Sequence, residues 1–312
     1  MKKSYWLTLA AAICLIFAAA AGFYIVRERT AQKPDESAAA AGSSPSASVL
    51  PSAAAVTAAA SIPTAAAEDE ALNKLLEKDT AGLGGKWDIY AESLPDGRAA
   101  HCLTNTEEGE PLVSASLIKL FIMGTVFDSI EKGKISQSSV SGLLNKMITI
   151  SDNDSANSLI KLLGSGSAQD GMQAVNDWAD SIGCSHSRLN RLMLDNNGLQ
   201  NYTTAEDCAA ILRLIYGGKC VSEKRSAQML ELLKAQTVDN RIPAQLPEGT
   251  VTAHKTGDLL KICCADAGIV FSPKCDYLLC MICNDPANDK AAADKEAEIS
   301  AEVYAYYNAA AR

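Results

Sequence analysis

Positive charge is in short supply, with 28 Lys and Arg against 37 Asp and Glu and a formal net charge of −9. Nowhere do the Lys and Arg gather into a basic cluster. Phosphate backbones are bound largely through such clusters, so a nucleic-acid partner is excluded. Bulky apolar residues are nearly missing from Thr30 to Ala67, a stretch of Ala, Ser and Pro. Such a segment does not offset its ordering entropy by burial and reads as a disordered linker over residues 27–67. Elsewhere apolar material is ample: 48% hydrophobic and 21% charged residues in a chain of 312 suit one sizeable globular core.

Charge is also missing between Tyr5 and Val26, an apolar run preceded by Lys2 and Lys3 and closed by Arg27. The run is long enough to cross a bilayer as a helix. Small residues from Ala18 to Ala21 offer the alternative of a cleaved signal peptide, although the run exceeds the usual signal core of ~7–15 residues. The expected order is a cytoplasmic N-terminus at 1–4, an anchor or signal at 5–26, the linker at 27–67, and a folded domain at 68–312. Either reading places that domain on the extracytoplasmic face of the cell envelope, tethered to the membrane or secreted.

Ten cysteines invite a metal or disulfide reading. Cys14 lies in the apolar run, and nine remain, an odd number that cannot all pair. Cys280-Met-Ile-Cys283 has zinc-like spacing, but it falls in a strand pattern where positions three apart face opposite sides. Cys263 and Cys264 alternate in the same way. The cysteines read as small buried hydrophobes, with one cross-strand disulfide as the alternative.

Leu72, Leu75 and Leu76 have helical spacing. Residues 87–92 and 98–103 read as strands around Pro95-Asp96-Gly97. The segment from Ser116 to Phe127 is apolar on every side, which predicts a central buried helix, and helical patterning continues to Tyr216. After Pro247 strands return at 250–256, 261–271 and 276–283, and Ile299, Val303 and Tyr307 stripe a last helix. The fold class is therefore α/β of the α+β type. One antiparallel sheet, from residues 68–115 and 248–312, is flanked by N- and C-terminal helices and stands beside an all-helical lobe at 116–247.

Ser116-Leu-Ile-Lys119 sets a hydroxyl and an amine on one side of a helical turn. Ser129-Ile-Glu-Lys132 and Ser158-Leu-Ile-Lys161 share the spacing, but their lysines have a polar side available. Lys119 lies within Leu-Ile-Lys-Leu-Phe-Ile-Met, where burial lowers an amine's pKa and makes it a base for Ser116; the alternative is a lysine reaching out to solvent. Ser151-Asp152-Asn153, between two helical segments, reads either as a turn with a helix cap or as a site in which Ser151 relays a proton and Asn153 holds a substrate amide. Asn157 is expected to bond to neighbouring backbone. Lys255-Thr256-Gly257 ends a strand: Lys255 and Thr256 suit a carboxylate, and Gly257 permits close approach. The backbone N–H groups of Asp258 and Ser116 suit an oxyanion hole, and His254, on the opposite face, is expected to be structural.

Ser-x-x-Lys, Ser-Asp-Asn and Lys-Thr-Gly in this order resemble the class A β-lactamases and penicillin-binding proteins. Met147-Ile-Thr-Ile-Ser-Asp-Asn and Ala253-His-Lys-Thr-Gly-Asp strengthen the resemblance, which spans residues 68–312. It implies a serine hydrolase with Ser116, Lys119 and Ser151 catalytic, a β-lactam or peptidoglycan stem peptide as substrate, a monomer, and neither cofactor nor metal. One departure bears on the reaction. Class A enzymes carry a glutamate in an omega loop that activates the deacylating water, whereas the matching position is Met193. Asp195 is the nearest substitute, and only in a shifted loop. The expectation is acylation with slow deacylation, with a D-alanyl-D-alanine peptidase or transpeptidase, or a noncatalytic cell-wall or ligand-binding domain, as alternatives.

Overall fold

The computed structural model describes residues 67–309, so the segment Tyr5–Val26 and the linker through residue 66 lie outside the described residues. No helix among the described residues is long and apolar enough to cross a membrane.

The domain opens with helix α1 (Glu70–Thr80), capped by Asp69, whose carboxylate accepts from Leu72 N at 3.2 Å. Strands β1 (Lys86–Ser93) and β2 (Ala99–Thr104) then form a hairpin. Three strands close the sheet late in the chain, β5 (Val251–Leu259), β6 (Cys263–Phe271) and β7 (Tyr277–Asn284). The order is β2-β1-β7-β6-β5, antiparallel throughout.

All eight residues of β7 are buried because both faces of the sheet are covered. Alternation sorts them: Leu278, Cys280 and Ile282 join the core on the helical-lobe side, while Leu279, Met281 and Cys283 join the core under the terminal helices. Helix α8 (Asp289–Asn308) covers the second face with Ile299, Val303 and Tyr307, the predicted stripe. Cys263 and Cys264 also part to opposite cores, as their alternation predicts.

The first face meets the helical lobe. Helix α2 (Lys119–Glu131) has ten of its thirteen residues buried, which follows from a sequence without a polar stripe. Around it lie α3 (Gln137–Thr149), α4 (Asn153–Leu163), α5 (Ala168–Ser181), α6 (Ala205–Tyr216) and α7 (Glu223–Lys234). A Cβ on Gly124 would lie 2.0 Å from the Trp178 ring, so glycine there lets α5 seat its indole on the central helix.

The antiparallel α+β architecture agrees with the sequence reading, with two refinements. Helix α6 leans on strands β1, β6 and β7 rather than lying wholly within a helical lobe. A two-residue ladder of β3 (Leu112–Val113) and β4 (Tyr202–Thr203) also joins the segment before Ser116 to the loop after α5. Runs this short carry no period-2 signal, so the pattern of apolar residues does not reveal them.

Candidate active site

Ser116 lies in a 3-10 turn (Ala115–Ile118) that runs directly into α2. Both ends of the preceding segment are tied down: Ser114 N donates to Asn201 O at 2.9 Å, and the Asn284 side chain pairs with both backbone groups of Val113. Ala115 holds φ at 43° and Ser151 at 57°. Left-handed backbone at a non-glycine residue costs about 1–3 kcal/mol and persists only where surrounding structure enforces it. Here it is found next to, or at, each of the two serines.

Lys119, in the first turn of α2, is fully buried. Its amine donates to Ser151 O at 2.6 Å, to Asn153 Oδ1 at 2.8 Å and to Ser151 Oγ at 3.2 Å. Lys255, midway along β5, is also fully buried and donates to the same Ser151 Oγ at 3.0 Å and to Thr256 O at 2.8 Å. Two amines therefore meet on one hydroxyl. Burial pulls Lys119 down to about 8, against a smaller opposing effect of Asp152. Burial, then the neighbouring Lys119 charge, pulls Lys255 down to about 7.

This geometry corrects one expectation. The amine of Lys119 was expected against the Ser116 hydroxyl, but its three hydrogen bonds go to Ser151 and Asn153. The left-handed turn at Ser151 offers the amine a carbonyl as well as a hydroxyl, which residue spacing does not foretell. Asn153 was expected to hold substrate; its side-chain oxygen is already engaged by Lys119. Asp152 fills the capping role, accepting from Ser155 N at 2.7 Å at the start of α4.

Gly257 is also placed differently. A Cβ there would sit 2.9 Å from Ser114 O and 3.3 Å from Leu117 Cγ, so the close approach it permits is that of β5 to the serine-bearing turn. Thr256 is buried beside it, and Asp258 is exposed with its carboxylate paired to Arg241. The sequence reading missed Arg241, which is almost fully buried; its partners, Asp258 and Glu296, lie far along the chain. His254 points away from Lys255 and bonds through Nδ1 to the buried Asp266 at 2.9 Å. Burial alone would lower its pKa, but the Asp266 carboxylate more than offsets this and the net direction is up.

Asn157, one helical turn after Asn153 on α4, carries the other side of the site. Its Oδ1 accepts from Met193 N at 2.8 Å and its Nδ2 donates to Met193 O at 3.1 Å, the backbone role expected for it. Met193 is buried, and Leu194 beside it is exposed with φ at 64°. Asp195 bonds within its own loop, accepting from Asn197 N at 2.9 Å and Asn197 Nδ2 at 3.0 Å. It makes no hydrogen bond to Lys119, Ser151 or Lys255.

Against known proteins, the model of the beta-lactamase enzyme family matches residues 135–307. Among curated proteins, β-lactamase FAR-1 of Nocardia farcinica (strain IFM 10152) is 33% identical over 124 residues, a segment spanning 38% of this chain and 38% of that protein. Among solved structures, PBP-A superposes with a TM-score of 0.68 at 22% identity over 77% of this chain and 97% of that one. A β-lactamase from Sphaerobacter thermophilus DSM 20745 gives 0.66 at 20% identity, over 78% and 99%. At these identities the structures speak for the fold, and the family match over more than half of the chain carries the assignment: the protein belongs to the beta-lactamase enzyme family.

Proposed function

We propose that the protein is an active-site-serine hydrolase that β-lactams acylate at Ser116 and that releases the acyl group slowly. The observation that carries this reading is the convergence of two buried, pKa-lowered amines on Ser151 Oγ, one of them Lys119, which follows Ser116 by one helical turn. A neutral Lys119 is the base. When substrate enters, its amine turns from Ser151 toward Ser116 and takes the hydroxyl proton; such contacts commonly tighten only in the complex. A substrate carboxylate at Lys255 and Thr256 favours the charged form of Lys255, which leaves Lys119 as the unprotonated partner. Ser151, bonded to both amines, passes a proton to the departing β-lactam nitrogen. The backbone N–H groups of Ser116 and Asp258 receive the developing oxyanion.

Deacylation needs a base for water, and a thioether has no capacity for it. Met193 occupies the loop position facing α4, and the Asp195 carboxylate is committed to Asn197. The same observation favours a second reading, a D-alanyl-D-alanine peptidase or transpeptidase acting on a peptidoglycan stem peptide, for which the β-lactam is a mimic. A variant of PBP-A, on the same fold, is described as an acyl-enzyme complex with penicillin G. The N-terminal apolar segment supports a membrane-tethered, extracytoplasmic location.

Incubation of the purified full-length protein with a fluorescent penicillin, followed by peptide mass mapping, tests the proposal. A stable adduct on Ser116, lost in Ser116→Ala, is the expected result. An unlabelled protein, or a label unaffected by that substitution, overturns it.

A further inference from the structure

The nine cysteines among the described residues are free thiols, and eight of them are buried. Two stand apart from the rest. Cys264 on β6 is paired in register with Cys283 on β7, and both side chains enter the same core beneath α8. Directly opposed residues of an antiparallel ladder lie about 4.5–5.5 Å apart at Cα. That separation falls inside the roughly 4.4–6.8 Å window a disulfide requires. The other strand cysteines have no cysteine opposite: Cys102 faces Ile89, Cys263 faces Leu259 and Asn284, and Cys280 faces Tyr90 and Ala267.

A second observation distinguishes Cys264 from its partner. Arg241 Nε donates to Cys264 Sγ at 3.2 Å, and the same guanidinium pairs with Asp258 at the end of the Lys-Thr-Gly strand. Glu296 of α8 lies 3.4 Å from Arg241 Nε, fully buried and with neither carboxyl oxygen hydrogen-bonded. Burial drives Glu296 strongly toward its neutral form, more than Arg241 restrains it. Burial, and after it Glu296, pushes the Cys264 thiol up to about 12, with Arg241 opposing by less, and burial pushes Cys283 higher.

We propose that Cys264 and Cys283 are a redox pair that closes a cross-strand disulfide when the protein meets a low-molecular-weight disulfide. The thiolate of Cys264 attacks one sulfur of the reagent and expels its first thiolate, leaving a mixed disulfide on Cys264. The thiolate of Cys283 then attacks Cys264 Sγ and expels the second. Two protein thiols are oxidised by two electrons, the reagent disulfide is reduced to two thiols, and those thiols take up the two protons. Because both sulfurs are buried beneath α8, the exchange runs during folding or when that helix opens. The bridge fastens β6 to β7 beside the strand that carries Lys255, and it holds the sulfur against which Arg241 is braced.

The experiment treats the reduced full-length protein with glutathione disulfide, blocks remaining thiols by alkylation, and maps peptides without reduction. The expected result is one intramolecular link, Cys264 to Cys283, with the other cysteines alkylated. Closure of the 264–283 segment should also raise Tm by roughly 5 °C, reversed by reductant. In Cys283→Ser, glutathione should be trapped on Cys264 as a mixed disulfide. Alkylated Cys264 and Cys283 after full treatment, a link between other cysteines, or glutathione trapped elsewhere overturns the proposal. The mapping on the unsubstituted chain decides the matter even where the serine variant does not fold, and it does not depend on the reaction at Ser116.

Discussion

The two ends of the first turn of α4 face different worlds. At Asn153 the helix meets Lys119, Ser151 and, through Ser151, Lys255, a knot of buried amines and a strained serine. At Asn157 the helix meets the backbone of Met193, in a loop whose polar side chains bond within the loop: Arg191 to the Gln200 side chain, Asn190 to the Gln200 carbonyl, and Asn197 to the Asp195 carboxylate. The first region holds groups whose protonation is delicately set. The second holds a thioether and a carboxylate with its partners already chosen. Under the proposed function, the first region serves acylation of Ser116 and the second offers no base for deacylation.

The sharpest way to break this comparison is to remove the base from the first region. Lys119→Met suits the apolar surroundings of α2, so the protein should stay folded while penicillin acylation slows by roughly 10³-fold. Stopped-flow labelling with a thermal melt as control measures this, and a loss below tenfold would remove Lys119 from the role of base. The next largest effect comes from giving the second region what it lacks. In Met193→Glu the half-life of the adduct should shorten by roughly 10²-fold, read by intact mass against time, since a placed carboxylate can draw a proton from water.

A smaller effect is expected from pH. Lys119 has to be neutral to accept a proton, and its neutral fraction grows as pH rises through about 8. Lys255 has to be charged to hold a carboxylate, and its charged fraction shrinks as pH rises through about 7. The acylation rate should then peak between these values and fall by roughly twentyfold two pH units to either side. A rate that climbs steadily to pH 10 would show that Lys255 does not act as a cation. Last, Asp195→Asn should leave the adduct half-life within about twofold, because its carboxylate serves Asn197. A much longer-lived adduct would make Asp195 the deacylating base after all.

Much of this was legible in the chain, for identifiable reasons. The all-round apolar run of α2 announced a central helix, and the alternation through Cys263-Cys264 and Cys280-Cys283 announced strands with two buried faces. The three motifs stood out because each combined reactive residue types with a local context, a helix start, a loop and a strand. What escaped the sequence depends on distant partners or on backbone turns. Arg241 is meaningful only with Asp258 and Glu296 around it. The bonds of Lys119 to Ser151 follow from a left-handed φ at that serine, and the need for Gly257 comes from Ser114 and Leu117 packed against it. None of these is a matter of spacing or period.

The comparison is tested most directly by pre-steady-state turnover of a chromogenic cephalosporin by the purified protein. A burst of about one equivalent per protein, followed by a steady rate at least roughly 10²-fold slower, is the predicted trace. Linear turnover from the first milliseconds, without a burst, would contradict it, because water would then be leaving with the acyl group as fast as Ser116 accepts it.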